Sequence, residues 1–531
     1  MVTVIGAVET AWGGRIDPEL LQKLNSAAPA DEFAIVVKLA DKVDLTSMKS
    51  SLAKEERIVR HARVVQALRD KADVSGKNIR GLMAIRERER KITGRRNLWI
   101  INGYALTARS ETVRELAARD DVAEVVEDRI IPLGFAASGT TGGSGSWNLD
   151  MVGAPILWQM GYTGQGAVVA TIDSGVDINH PALRSTWRGG VHDWHDSVTT
   201  DSPTSLPFDD VGHGTRVMGV MVAGNDQNGD PVGVAPGAKW IAAKISDSAG
   251  NTQPSWIHDA FQWAINPDGD TLTADAPNVV NCSWEIDTAG HYNPDPELQQ
   301  DIQALATAGI AVVFAAGNSG PNAGTSVSPA NYPGAFSVGA TDSNDLMTAI
   351  SSRGPSASDA SIYPTVVAPG NSIRTTDLTG LNNVNTYTYA DGTSLAAPHV
   401  AGVFALLLGI NPQLTVTQLE SAVKSAALDL GTAGPDNSYG FGRVNVIKAA
   451  ENLNLIPAHI PSGDVDGDGA VTVRDALIVL QAAVGLVPWS ATLMYNGDVA
   501  PLVNGVPDSD GRIGVDDALL ILRKAVGSSS F

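Results

Sequence analysis

Cysteine is almost missing from this chain: Cys282 is the only one in 531 residues. That excludes an intrachain disulfide. Cys282 sits in the apolar run Val279-Val280-Asn281-Cys282, which predicts a buried structural thiol rather than a nucleophile. Long apolar runs are absent too. No uninterrupted stretch reaches the 18 or so residues of a bilayer crossing, so no membrane span is expected. Basic charge is scarce, with 37 Lys+Arg against 58 Asp+Glu and a net charge of −21. An acidic chain argues against nucleic acid as a partner. The stretch Met1-Val2-Thr3-Val4-Ile5-Gly6-Ala7-Val8 has neither a basic lead nor an adequate apolar core, so no signal peptide is read there.

What is present points to several folded units. The length exceeds one ordinary domain, and a hydrophobic share of 43% supports globular cores. The charge is uneven. Residues 1–131 hold 23 Lys+Arg and 20 Asp+Glu, so the remainder carries −24. This asymmetry predicts that the first segment docks on the rest by charge and that the acidic part binds cations.

Three stretches carry chemistry. In Val168-Val169-Ala170-Thr171-Ile172-Asp173-Ser174-Gly175, an apolar strand delivers an acid into a glycine turn. In Asp209-Asp210-Val211-Gly212-His213-Gly214-Thr215, a histidine stands between glycines at the start of an apolar segment. In Gly392-Thr393-Ser394-Leu395-Ala396-Ala397-Pro398-His399, a serine opens a small-residue helix, with Pro398 read as part of its first turn. A serine at a helix N-terminus lies among unpaired N–H groups, a setting that suits a developing oxyanion. Each stretch alone has a plain structural reading. Together they supply acid, base and nucleophile in the order Asp…His…Ser.

These stretches closely resemble the signature blocks of the subtilases, the subtilisin-like serine endopeptidases, over roughly residues 147–455. The resemblance implies Asp173 as orienting acid, His213 as general base and Ser394 as nucleophile. A fourth block, Val312 to Gly320, implies Asn318 as oxyanion donor. Asn281 to Trp284 and Pro329-Ala330-Asn331-Tyr332-Pro333 are nearest the bacillopeptidase F-like branch. The same resemblance puts Ser283, Trp284, Glu285 and Gly317 on the substrate cleft. Glu285 stands where the family usually has glycine. Such a carboxylate either favours basic residues near the cleaved bond or turns to solvent. Arg216 stands where many relatives carry histidine, with little catalytic effect expected. The implied fold is α/β, a parallel sheet covered by helices on both faces. Strands are predicted at Val168–Ile172, Trp240–Ile245, Val279–Ser283, Ala311–Ala315 and Ala335–Gly339, with helices such as Trp256–Ala264 and Pro296–Ala308 between them.

Residues 15–131 read as a small α/β unit resembling a subtilase propeptide, which acts as chaperone and inhibitor. Glu32–Leu39 and Tyr104–Ala108 are predicted strands, and Ala53 to Arg90 is basic and helical in composition. Residues 132–146 include a Gly/Ser linker, where self-cleavage is expected between about Ile131 and Trp147.

After a linker at 456–461, residues 462–528 hold a repeat offset by 42: Asp468–Gly485 and Asp510–Gly527 share 10 of 18 residues. The first loop, Asp464 to Asp475, spaces oxygen ligands as Ca²⁺ requires: Asp464, Asp466, Asp468, Thr472 and Asp475. The second uses Asp498, Asp508, Asp510 and Asp517, interrupted by Leu502 to Pro507. The Asp at the twelfth position resembles dockerin domains, which implies a cohesin-like partner.

The sequence thus predicts a calcium-binding, secreted, self-processed serine endopeptidase acting on protein or peptide, with its own propeptide as a further partner. Secretion is expected from the family and the calcium loops. The alternative is a subtilase scaffold that binds through its tail. A serine esterase is disfavoured, because Gly392 to Ala396 lacks the second glycine of a nucleophile elbow.

Overall fold

The structure is a computed structural model that describes residues 14–135, 145–199, 206–286, 296–380, 386–487 and 490–531. The Met1–Val8 stretch and most of the Gly/Ser linker lie outside them.

The first unit is a five-stranded sheet in the order Arg15–Ile16, Val122–Glu127, Glu32–Leu39, Gly103–Arg109, Ile92–Leu98. The basic stretch from Ala53 to Arg90 forms two helices, Arg57–Ser75 and Lys77–Arg88, rather than one. They meet at Gly76, where a Cβ would lie 2.6 Å from the Ala72 carbonyl oxygen. The first of these helices lies on the later helix Gln299–Ala308. Val64, Val65 and Leu68 join Ile257, Phe261, Ile302 and Leu305 in one apolar core. Basic side chains complete the contact. Arg57 donates to the carbonyls of Gly309 and Ala276 at 3.2 Å, Arg96 to that of Ser197 at 3.0 Å, and Lys38 pairs with Glu297 at 2.6 Å. The docking therefore has the charge sense expected, with carbonyl oxygens taking much of it.

The second unit is built on seven parallel strands: β1 (Val168–Asp173), β2 (Trp194–Asp196), β3 (Lys239–Lys244), β4 (Val279–Cys282), β5 (Ala311–Ala315), β6 (Phe336–Thr341) and β7 (Val366–Pro369). Their order is β7-β6-β5-β4-β1-β3-β2. Alternate side chains of each strand face opposite ways. Val169, Val279 and Val313 pack on one side against helices His213–Val222 and Thr393–Ile410. Ala170, Ile172, Val280 and Phe314 pack on the other side against helices Pro254–Ile265 and Gln299–Ala308. The fold is the two-sided α/β sheet expected. Strand order reverses around β1, and in α/β sheets ligands bind at the carboxyl ends of the strands beside such a reversal.

Helix Thr393–Ile410 is long and apolar enough to cross a bilayer, with a mean hydropathy of 1.7. It is 89% buried under the sheet, which marks it as a core helix. Pro398 sits in its interior rather than in its first turn. The proline has no N–H for the Ser394 carbonyl four residues back. The Ser283 hydroxyl takes that place, donating to the Ser394 carbonyl at 2.8 Å.

In the third unit, helices Val473–Ala483 and Val515–Ala525 pack through Ala476, Val479, Ala482, Ala518 and Ile521. Helix Ala491–Gly497 between them docks on Trp147–Val152 and Ala154–Gln159 of the second unit. Asp150 accepts from the Ala491 N–H at 3.0 Å, and the His459 ring stacks on Tyr495 at 3.5 Å.

Candidate active site

Asp173 is the last residue of β1 and is fully buried. Its Oδ1 takes the Ser174 N–H at 2.7 Å and lies 2.8 Å from His213 Nδ1. With the proton on Nδ1, the imidazole donates to this carboxylate and its Nε2 is left basic.

His213 opens its helix because Gly212, at φ 92°, reverses the chain just before it. A cradle behind the turn fixes it. Asp209 accepts the N–H groups of Val211, Gly212 and Thr215 at 2.7–3.0 Å, and the hydroxyls of Thr215 and Ser174 at 2.7 and 3.0 Å. Ser174 in turn accepts the Gly214 N–H at 2.8 Å. Asp209 and Ser174 are positioning residues that the sequence reading did not single out. Arg216 pairs with Asp377 at 2.9 Å, on a side chain separate from the catalytic bonds.

Ser394 is the second residue of the core helix. Its hydroxyl donates to the Ser283 carbonyl at 2.9 Å, the return half of the Ser283–Ser394 contact. His213 Nε2 is buried with no hydrogen-bond partner among the described residues. Asn318 Oδ1 accepts from the Thr393 N–H at 3.0 Å and its hydroxyl at 3.1 Å. That turns the amide so that its Nδ2 donors are kept for another acceptor beside Ser394.

The protein's own chain lies in this cleft. Ile131–Pro132 pairs antiparallel with Asn251–Thr252, and Leu133 bridges Ile286. Gly134 follows opposite Glu285, and the Phe135 ring stacks on His213 with centroids 4.3 Å apart. An extended segment between two strands, ending on the imidazole, lies as a peptide substrate would.

The other residues expected at the cleft divide. Ser283 accepts the Ser394 hydroxyl through its carbonyl at 2.9 Å, and the Gly317 N–H donates to the Thr393 hydroxyl at 3.1 Å. Trp284 turns its side chain into the core, 1% exposed, with its indole donating to the Ile172 carbonyl at 2.6 Å. Glu285 turns inward: its Oε2 is buried against Gly317. Cys282 is buried, and burial with the Asp173 charge pushes its thiol up, so it stays unreactive.

The two acidic loops have one geometry. Asp464 accepts the Gly469 N–H at 2.9 Å, and Asp498 accepts the Gly511 N–H at 2.7 Å. Asp475 takes the N–H groups of Val465, Asp466 and Thr472, while Asp517 takes those of Val499, Ala500 and Gly514. Asp498 is thus the counterpart of Asp464, and the insertion forms a small hairpin, Leu502–Val503 with Val506–Pro507. Carboxylate oxygens of Asp464, Asp466 and Asp468 converge within 4.8 Å. Thr472 stands outside that group, its hydroxyl bonded to Asp475 at 3.0 Å. In the second loop, burial and mutual repulsion push Asp498 up to about 8, and burial chiefly pushes Asp517 up to about 6. Carboxylates crowded this way fit a hard divalent cation, whose charge removes the repulsion.

A parallel α/β sheet with a buried Asp–His pair at a strand end and a serine opening its core helix agrees with the scaffold of a serine peptidase. Comparison agrees: residues 164–442 match the subtilase family. Bacillopeptidase F of Bacillus subtilis (strain 168) is 34% identical over 440 residues, 76% of this chain and 29% of that protein. Subtilisin E of the same organism is 36% identical over 353 residues, 66% of this chain and 81% of that protein. Subtilisin Savinase of Lederbergia lenta is 35% identical over 299 residues, 56% of this chain and 96% of that protein. The chain belongs to the subtilase family.

Proposed function

We propose that this protein is a self-processed serine endopeptidase whose triad is Asp173, His213 and Ser394. The observation that carries this is the bond between His213 and Asp173, with Phe135 of the chain's own segment stacked on the imidazole and Asn318 bonded to Thr393 beside Ser394. In the first half-reaction the Ser394 hydroxyl swings from the Ser283 carbonyl toward His213 Nε2. Its proton passes to the imidazole as the oxygen bonds to the substrate carbonyl carbon. Asp173 stabilises the imidazolium. Asn318 Nδ2 and a backbone N–H at the helix start receive the oxyanion. The C–N bond breaks as the imidazolium protonates the amine. Water, activated by the same imidazole, then releases the acyl group. Replacing Asn318 by Ala is expected to lower kcat about 10²–10³-fold with little change in KM, the magnitude measured for this donor type in a subtilisin. Steady-state kinetics on a chromogenic peptide checks it.

The first unit would act as chaperone and inhibitor, with residues 131–135 blocking the cleft until a bond between Phe135 and Trp147 is cut. Purified wild type should begin past Phe135, whereas Ser394→Ala should keep the original N-terminus. N-terminal sequencing decides, and a wild type that still begins ahead of the first unit would refute self-processing.

Ca²⁺ would be held by Asp464, Asp466, Asp468 and Asp475 in one loop and by Asp498, Asp508, Asp510 and Asp517 in the other, with Thr472 at the edge of the first. The ion would be structural, tying each loop to its helix. Exposed apolar residues recur at the repeat spacing: Val473, Leu477, Leu480 and Val484, then Val515, Leu519, Leu522 and Val526. This duplicated stripe supports docking to a cohesin-like partner, and with the calcium loops and the family it supports secretion. Chelation should lower the unfolding temperature of the third unit and abolish cohesin binding. Each site filled at 100 times its Kd contributes about 2.7 kcal/mol. Calorimetry and a binding assay with and without chelator check this, and insensitivity in both would count against the loops as calcium sites.

A further inference from the structure

The peptide unit between Ser394 and Leu395 carries the nucleophile, and the helix does not hold it alone. Its carbonyl would ordinarily accept the N–H four residues on, but that residue is Pro398. A buried carbonyl left without a donor is costly. The Ser283 hydroxyl, just past the end of β4, donates to it at 2.8 Å. On the other side of the same peptide unit, the Leu395 N–H donates to the Gly392 carbonyl at 3.0 Å. The Ser394 hydroxyl donates back to the Ser283 carbonyl at 2.9 Å. Ser283 and Ser394 are therefore joined twice, each hydroxyl on the other's carbonyl.

The Ser283 hydroxyl is itself directed. Asn281 Nδ2 donates to its oxygen at 2.8 Å. A hydroxyl has one proton, and an oxygen that already accepts from the amide is set to give that proton to the Ser394 carbonyl. Asn281 Oδ1 is buried with no hydrogen-bond partner among the described residues, so the amide faces Ser283 at no gain to its own oxygen. The Asn281 backbone is fixed inside the sheet, in register with Thr171 of β1 and Val313 of β5. Asn281 and Ser283 are both fully buried, out of reach of bulk water.

We infer that Asn281 and Ser283 are positioning residues for the reaction. Their relay fixes the peptide unit that Pro398 leaves without a helical donor, and with it the direction from the Ser394 hydroxyl to the His213 imidazole. This rests on the serine endopeptidase reading and adds what holds its nucleophile in place. Neither side chain bonds to the reacting hydroxyl. They act through the Ser394 backbone, so their loss belongs in turnover rather than in substrate binding.

The test is a double-mutant cycle between Ser283→Ala and Pro398→Ala, read on processed enzyme titrated with a serine-directed phosphonate. Ser283→Ala should lower kcat about 10–100-fold with KM within about threefold, the range set by displacing a reacting group by about 1 Å. Ser283→Cys, a weaker donor, should fall between wild type and Ser283→Ala. Asn281→Ala should lower kcat by a smaller factor in the same direction. Pro398→Ala returns an N–H to the Ser394 carbonyl. In that background Ser283→Ala should therefore cost less than about threefold, whereas a side chain that only fills space would cost the same in both backgrounds. Equal costs in the two backgrounds overturn the inference alone, as does wild-type kcat in Ser283→Ala or a loss that appears in KM. If Ser283→Ala is not recovered folded, Ser283→Cys carries the same cycle. A wild type with no titratable serine overturns the endopeptidase reading and the inference with it.

Discussion

Replacing Ser394 by alanine is expected to lower peptide hydrolysis by about 10⁶-fold, the order found when the serine of a subtilisin triad is removed. The neighbouring Thr393 hydroxyl is held between the Gly317 N–H and Asn318 Oδ1, which leaves the Ser394 hydroxyl to form the acyl bond. Its loss costs the fold little. The side chain gives up one hydrogen bond, to the Ser283 carbonyl, while the helix keeps the Ser283 hydroxyl on the Ser394 carbonyl. The buried apolar residues from Leu395 to Leu408 are untouched. Kinetics with a chromogenic peptide, beside a thermal melt within a few degrees of wild type, checks the expectation. Residual activity within tenfold of wild type would remove Ser394 from the mechanism.

Asp173→Asn should cost about 10⁴-fold in kcat. An asparagine amide fits the space, but it can turn a donor toward His213 Nδ1. The imidazole is then drawn to the tautomer with its proton on Nε2, which cannot accept the Ser394 proton. The neighbouring Ser174 N–H, bonded to Asp173 Oδ1 at 2.7 Å, also loses an anionic acceptor. The loss belongs in kcat rather than KM, because Asp173 is fully buried behind the histidine and touches no substrate. Equal effects on KM, or a loss under tenfold, would contradict this role.

The sequence was most informative where chemistry is local. An acid at a strand end, a histidine between glycines and a serine opening a small-residue helix are each written in a few consecutive residues. The repeat likewise made Asp498 recognisable as the partner of Asp464, and both accept the N–H of the same loop glycine. What escaped depends on residues distant in sequence. Glu285 turns inward because Gly317, 32 positions later, has no Cβ, and no local pattern encodes that. Pro398 fell inside the helix rather than in its first turn because Ser283, on another strand, accommodates the displaced carbonyl. The basic stretch before Arg90 looks continuous in composition, yet Gly76 divides it under the Tyr104 strand. Short strands such as Trp194–Asp196 and Val366–Pro369 span too few residues for periodicity to mark them. The lie of Leu133 to Phe135 in the cleft could be anticipated as a cleavable link, but its register with Ile286 could not.

The central claim is that His213, held by Asp173, activates Ser394. Labelling with a phosphonate that reacts only with activated serines, followed by mapping of the modified peptide, tests it most directly. The mechanism predicts one phosphonate per processed chain, on Ser394, with labelling lost in His213→Ala. Absence of label on Ser394, or equal labelling without His213, would contradict it and leave the cleft as a binding scaffold.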